Sequence, residues 1–499
     1  MTQITIAMLL VAGLLTMLDW RQGLIMCVLI GVAQDPLRKL APNQPVFYVL
    51  LVGVIFGIAW VRAALVRVPL GPSVIEGWKK NLKVPFSLFV ALVVVQAMHS
   101  FVRYGSAFMA GIGLLVWLAP IPAVVLAYQY ASRRGLLGIR RWMLIYVIAA
   151  LLALSGVYLE YIGYEWRTLG EIGEGQIIYD VGTVLKAYSG FFRASEIAAW
   201  HTAAIACFIF MLSVGKKPTL MRIVMALALI AVLVSLGILT GRRKMLIEII
   251  IFISTYFFLV AWLQRGMARL AMVVLVMGAA GYVLIVGFVA PDLVQRSYSK
   301  SMYVENAQRI EGYAARGQSV FADLPSRVKA LGVEPVLWAV DNFGWFGAGL
   351  GTGSQGTNEI AEAHNIERWA AEGGLGKVAM ELGVPGLFIG LWLLVALAKH
   401  LQRQLAVLAK VAPQHARMAY GLIAFLVANA ATFSVATQAY SDLFVLLILG
   451  WCLGFLLAMP ALAARGDGLR RRAASPYPNL GATRPAVQGL QLPQSQPQS

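Results

Sequence analysis

Two short stretches of this chain carry residues able to act on a phosphorylated, hydroxyl-bearing substrate. The first is Arg242-Arg243-Lys244, three cations in one turn between hydrophobic runs. Guanidinium groups grip phosphate oxygens bidentately, so the turn is a candidate anion site suited to a lipid pyrophosphate. The structural alternative is pairing with Glu248, one turn after Lys244, or with acidic loops. The second stretch is His364 with Asn365, Glu362, Glu367 and Arg368. Histidine titrates near neutrality and is able to take a proton from a sugar hydroxyl. Glu367 and Arg368 share its face if the piece is helical. The alternative is an exposed loop histidine without a role.

His364 belongs to the one long polar, Gly-rich passage between hydrophobic spans, Asn342 to Pro385. Its glycines 344, 347, 349, 351, 353 and 356 permit tight turns and close backbone approach to a ligand. No Lys-Ser/Thr follows and no strand-turn-helix surrounds them, which argues against a nucleotide P-loop. Trp338, Phe343, Trp345 and Phe346 either stack on sugar faces or sit at a membrane interface. Arg193, after Gly190-Phe191-Phe192, is either an interfacial anchor or a second phosphate ligand, and His201 reads as a packed residue of the next span. No metal-ligand spacing is visible, and no carboxylate pair has the placement a hydrolase needs.

The elements that must hold these residues are membrane helices. The chain of 499 residues is 60% apolar, with mean hydropathy +0.75 and only 13% charged residues. A soluble domain is nearer one quarter charged. The expectation is an all-α, polytopic helical bundle of about twelve spans with a long, partly helical loop on one side. Spans need about 20 apolar residues. They are expected at Ile4–Leu18, Val46–Val66, Val84–Phe101, Ala107–Tyr130, Trp142–Leu159, Glu196–Val214, Leu220–Thr240, Met245–Leu263, Leu270–Ala290, Leu375–Ala398, Ala419–Ala436 and Leu443–Ala461. Gly23–Ala33 is too short to count and reads as re-entrant or interfacial. The N-terminus lacks a basic n-region, so it reads as a retained membrane segment.

The net charge of +18 is not a nucleic-acid footprint, because it sits in short loops. Clusters at 62–83, 133–141, 216–222, 265–269, 399–417 and 470–472 all fall on one face, the cytoplasmic one by the positive-inside rule. The opposite face receives Glu160–Ser195 and Pro291–Gly374, the latter with seven Lys/Arg against ten Asp/Glu. Both termini are then cytoplasmic; if both N-terminal segments span, the N-terminus moves outward. The basic turn 242–244 breaks the charge rule, since parity puts it on the outer face. The chain divides into an N-terminal bundle 1–290 with loop 160–195, a large loop 291–374, a three-helix part 375–461, and a Pro/Gln/Ser-rich tail 462–499 expected to be disordered. The three cysteines, all in apolar runs, form no disulfide framework.

The pattern W…FGAGLGTGSQG followed by H-N…E-G-G-L-G-K…E-L-G-V-P-G-L resembles the O-antigen ligase and Wzy-type polysaccharide polymerase superfamily, with the exopolysaccharide polymerase branch favoured. GFFRASEIAAWH is similar to the Gly-aromatic passage that opens a span in those proteins, and TGRRK to their basic turn two spans later. The resemblance covers roughly Gly190 to Gly386. It implies a metal-independent glycosyltransferase without cofactor in a bacterial inner membrane, moving a glycan from undecaprenyl pyrophosphate to a lipid-linked repeat unit at the periplasmic face. By the same resemblance, Arg242 and Arg243 bind the pyrophosphate, with Arg193 or Arg309 as a second clamp. His364 is the catalytic base, and Trp338, Trp345, Glu367 and Glu372 contact glycan. The implied partners are membrane lipid, a chain-length regulator and export machinery. Competing readings are a ligase acting on lipid A core or protein, a polysaccharide or lipid transporter, and a non-catalytic assembly subunit.

Overall fold

The computed structural model describes residues 2–170, 172, 177–180, 183–214, 220–263, 328–354 and 356–473. In chain order the helices begin with α1 (Thr2–Leu18), α2 (Trp20–Leu40), α3 (Leu51–Leu65), α4 (Trp78–Asn81) and α5 (Lys83–Tyr104). Next come α6 (Ala107–Leu118), α7 (Pro120–Tyr161), α8 (Ser195–Ser213), α9 (Leu220–Ile238) and α10 (Lys244–Leu263). The remainder are α11 (Glu334–Phe343), α12 (Asn358–Ala363), α13 (Gly374–Val411), α14 (Pro413–Val435) and α15 (Leu443–Ala473). One antiparallel hairpin, β1 (Ile177–Asp180) with β2 (Thr183–Lys186), pairs Ile177 with Lys186 in the loop before α8.

This is an all-α, multi-pass membrane protein. Lipid offers no partner to a backbone amide, so the spanning segments satisfy their hydrogen bonds internally as helices. Among the described residues eight helical stretches are long and apolar enough to cross a membrane. One of them, the 55-residue stretch Ala107–Tyr161, contains two expected spans. Two further expected spans are shorter apolar helices, Gln3–Leu18 and Val224–Ile238. Leu270–Ala290 lies outside the described residues.

The N-terminal expectation is corrected. Gly23–Ala33 is not a short interfacial piece but the middle of the 21-residue α2, which at 1.5 Å per residue is long enough to span. Its two ends touch opposite faces of the bundle. Asp19, its N-cap, pairs with Arg134 at 3.2 Å in the basic face, and Lys39 donates to the Gly190 carbonyl at 2.7 Å in the other. The last division also shifts, since α15 continues as helix to Ala473 where a tail was expected from residue 462; residues 474–499 lie outside the described residues.

One apolar core runs through residues of both the first 290 positions and the last three helices. α8 and α15 are its centre, each 83% buried over its span. Trp142 of α7 meets Trp451 and Phe455 of α15 edge-on at 5.5 and 5.3 Å and stacks on Tyr146 at 6.0 Å. Gly450 and Gly454 let α15 approach α7 closely: a methyl on Gly450 would lie 2.7 Å from Ala123 Cβ, and one on Gly454 would meet the Val124 carbonyl. Small residues at this spacing are a common way for membrane helices to gain contact. Two long helices are broken by a left-handed glycine, α7 at Gly135 (φ 66°) and α13 at Gly383 (φ 70°).

Candidate functional site

The site is organised by the segment between α14 and α15, residues 436–442, on the non-basic face. Its short 3₁₀ turn, Ala439–Ser441, presents successive side chains to different elements. Gln438 Oε1 accepts from Lys244 Nζ at 2.5 Å, and Tyr440 Oη donates to Asn429 Oδ1 at 3.2 Å. Ser441 Oγ accepts from Lys377 Nζ at 3.3 Å. Asp442 Oδ2 meets Arg193 Nη1 at 2.5 Å, while its Oδ1 caps α15 by accepting from Val445 N–H at 3.0 Å. The loop before α8, the basic turn before α10, and α13 are thus tied to one strap of seven residues.

Arg193 is held between two carboxylates. Besides Asp442 it reaches Asp35 Oδ1 at 3.3 Å, and its own N–H donates to Asp35 Oδ2 at 3.1 Å. Burial works against the guanidinium charge, but Asp442 and Asp35 outweigh it and push its pKa above the ordinary arginine range. A phosphate reaching Arg193 has to displace one of them.

The basic turn is also partnered. Arg242 Nη2 pairs with Glu196 Oε1 at 2.7 Å, and Arg242 Nε donates to Ser195 Oγ at 3.1 Å, both at the start of α8. Arg243 is buried. The acidic partner of Arg242 is Glu196 in the first turn of α8, and Glu248 Oε1 accepts from Asn429 Nδ2 at 3.0 Å. Asn429 in turn accepts from Trp200 Nε1 at 2.7 Å. Arg242, Lys244, Glu196 and Glu248 line a cavity of about 20 Å³. That is room for a water, so a pyrophosphate can enter only if Arg242 exchanges Glu196 for it. A larger cavity of about 180 Å³ adjoins the strap, with Arg193, Ser441 and Asp442 at its polar end and Phe47, Leu50 and Phe108 among its apolar walls. Phe47 and Phe108 are exposed.

The Gly-rich passage is folded inward. Ala348, Leu350, Thr352, Ser354 and Thr357 are fully buried. Ala348 N–H donates to the Met380 carbonyl at 2.7 Å, Leu350 N–H to the Gln96 carbonyl at 3.3 Å, and Val384 N–H to the Trp345 carbonyl at 2.9 Å, across the break at Gly383. Glu381 anchors the loop: its Oε1 accepts from Gly353 N–H at 2.9 Å and Ser354 Oγ at 3.0 Å, its Oε2 from Trp117 Nε1 at 2.6 Å. Arg368 closes it from the other side, donating to the Thr352 and Ser354 carbonyls. The close approach that glycine allows is therefore made to the protein's own helices. Gly351 (φ 85°) lies against the Met109 carbonyl of α6, whereas Gly356 (φ 90°) faces open space. Gly351→Ala is expected to destabilise by about 2–5 kcal/mol, from strain plus overlap, and Gly356→Ala by about 1–2 kcal/mol from strain alone. Equal melting temperatures for the two variants in detergent would contradict this packing.

His364 is exposed at the end of α12. Its Nδ1 lies 2.8 Å from the Ile360 carbonyl, which assigns the proton to Nδ1 and leaves Nε2 as acceptor. The Tyr104 ring meets it edge-on at 5.3 Å. The shared helical face with Glu367 and Arg368 is not formed. α12 stops at Ala363, Asn365 is left-handed (φ 52°), and the amides of Asn365 and Ile366 return to the carbonyls of Glu362 and Ala361. This is the usual helix stop with Asn just past the cap, a signal readable in the sequence. Glu367 and Glu372 are exposed. Trp338 packs edge-on against Phe343 and Trp369, while Trp345 is 68% exposed. Arg309 lies outside the described residues.

The structure thus joins Lys244 and Arg193 through the strap, holds Arg242 on Glu196, and gives His364 other partners. Among the described residues no hydrogen bond, ion pair or ring contact links His364 to either arginine. Asp35 and Lys377 join the candidate site through Arg193 and Ser441 without having been expected there; a charged residue inside an apolar run was the available signal. Compared with known families and curated proteins, the chain matches no family model and no curated sequence.

Proposed function

We propose that the protein is a polysaccharide polymerase of an inner membrane. It transfers a glycan from undecaprenyl pyrophosphate to a hydroxyl of a second lipid-linked repeat. The observation that carries this reading is the meeting of Lys244, Arg193 and Lys377 on residues 438–442 of the non-basic face, with Arg242 held on Glu196 beside them, next to an apolar-walled cavity. Cations on that face run against topology statistics, and a phosphate would compete for them with Glu196, Asp35 and Asp442. In the reaction the acceptor oxygen bonds to the anomeric carbon as the carbon–oxygen bond to pyrophosphate breaks. The electron pair leaves with the pyrophosphate, which the arginines neutralise, and the acceptor proton goes to His364 Nε2. Arg242 has to trade Glu196 for phosphate, and the bound glycan has to bridge the separation between the strap and His364.

The test is polymer formation in cells carrying His364→Ala or Arg242→Ala at normal membrane level. Loss of a positioned base is expected to slow transfer about 10²- to 10⁴-fold, so polymer disappears and single lipid-linked repeats accumulate. Unchanged polymer in both variants would remove the enzymatic reading. A transporter is the second reading, favoured by one arrangement: buried Lys377 and Glu381 in the half of α13 before its break at Gly383, with loop backbone set into the break. It expects both variants to make normal polymer.

A further inference from the structure

The basic face carries a cavity that the proposed reaction does not use. It measures about 200 Å³, and Arg21, Arg134 and Arg141 line it together with Gln22 and Tyr130. One carboxylate serves two of these three guanidinium groups: Asp19 pairs with Arg21 Nε at 2.8 Å and Arg134 Nη2 at 3.2 Å. Burial pushes the Asp19 carboxyl up, but its bonds to Arg21 and the charge of Arg134 pull it further down, so it stays anionic. Among the described residues Arg141 has no acidic partner. Three cations against one anion leave a local surplus of positive charge.

The cavity is built into the backbone. Asp19 caps α2 and puts Arg21 and Gln22 in its first turn. The break at Gly135 redirects α7, so that Gly138 and Arg141 face the same space. Tyr130 Oη donates to the Gly138 carbonyl at 3.2 Å and ties the two halves of α7 across the break. Leu137, at the rim, is 80% exposed, an apolar side chain standing at the level of the lipid.

We propose that this cavity binds the phosphate of an anionic phospholipid headgroup from the basic face of the membrane. Arginine forks match phosphate oxygens, and an anchored headgroup reaches this depth while its chains run beside Leu137. The site is independent of the transfer chemistry on the other face.

The experiment is native mass spectrometry and thermal melting of the full-length protein in neutral detergent, titrated with phosphatidylglycerol, phosphatidylcholine or inorganic phosphate. Wild-type protein is expected to retain phosphatidylglycerol in preference to phosphatidylcholine. Arg141→Gln is expected to bind it about tenfold more weakly, the loss of one charge-assisted contact. Arg141→Lys, which keeps the charge without the fork, is expected to fall between. Arg141 is exposed, and an unliganded melting curve like that of wild type shows that the variant is folded. Equal phosphatidylglycerol binding by wild type and Arg141→Gln would overturn the site. Binding of inorganic phosphate alone, competing fully with the lipid and lost in the variant, would overturn the headgroup assignment and identify a free phosphate as the ligand.

Discussion

Asp442→Ala is expected to lower the stability of the detergent-purified protein by about 3–5 kcal/mol, the usual consequence of removing one partner from a buried ion pair. The Asp442 side chain is 3% exposed and that of Arg193 13%, so water cannot replace the lost carboxylate. Asp35 remains, but its contact is the longer one, at 3.3 Å. The substitution also removes the cap of α15 at Val445 N–H, worth about 1 kcal/mol by itself. Asp442→Asn separates the two effects, since it keeps a capping oxygen while losing the charge, and is expected to be the milder variant. Denaturant melting would decide the matter: an unchanged midpoint for Asp442→Ala would mean that the strap does not hold Arg193.

Glu381→Ala is expected to release the Gly-rich loop. The substitution strands two buried donors, Gly353 N–H and Ser354 Oγ, and the half-buried Trp117 Nε1, at about 1–3 kcal/mol for each buried one. It also leaves Lys377, itself 2% exposed, without the nearest carboxylate that offsets its charge. A total on the order of 4 kcal/mol follows, concentrated in one loop. The readout is therefore local as well as global: limited proteolysis should begin to cut beside Trp345 and Phe346, where wild-type protein is held by Gln96 Nε2 on the Phe346 carbonyl at 2.8 Å. Glu381→Gln keeps one acceptor and should fall between. A loop as protected as wild type in Glu381→Ala would show that its glycines, and not the carboxylate, hold it in place.

How far the sequence could be read is clear from three places. The spans were legible because a helix in lipid depends on a local property, an unbroken apolar run. α2 was not legible, because Arg21, Asp35, Arg38 and Lys39 interrupt its run. Asp35 and Lys39 are met by Arg193 and by the Gly190 and Phe192 carbonyls, some 150 positions away, while Arg21 and Arg38 are met locally by Asp19 and the Gln44 carbonyl. The turn at Asn365 was legible in principle, since an Asn after a helix end is a local stop signal.

The candidate site divides in the same way. Residue types alone identified the cations 242–244, the histidine and the glycines as unusual for a membrane protein. Glycine says that backbone comes close to something, and it took the fold to show that the partner is Met109 of α6 and Met380 of α13. A cation says that an anion is needed, and only the fold set Glu196 on Arg242 and Asp442 and Asp35 on Arg193. By itself the sequence determined the helices, the basic face and the residues able to do chemistry, because these follow from composition and short-range pattern. The tertiary structure decided the partners, the inward Gly-rich loop and the separation of His364 from the arginines, because pairing among distant segments is a property of packing that no local pattern contains.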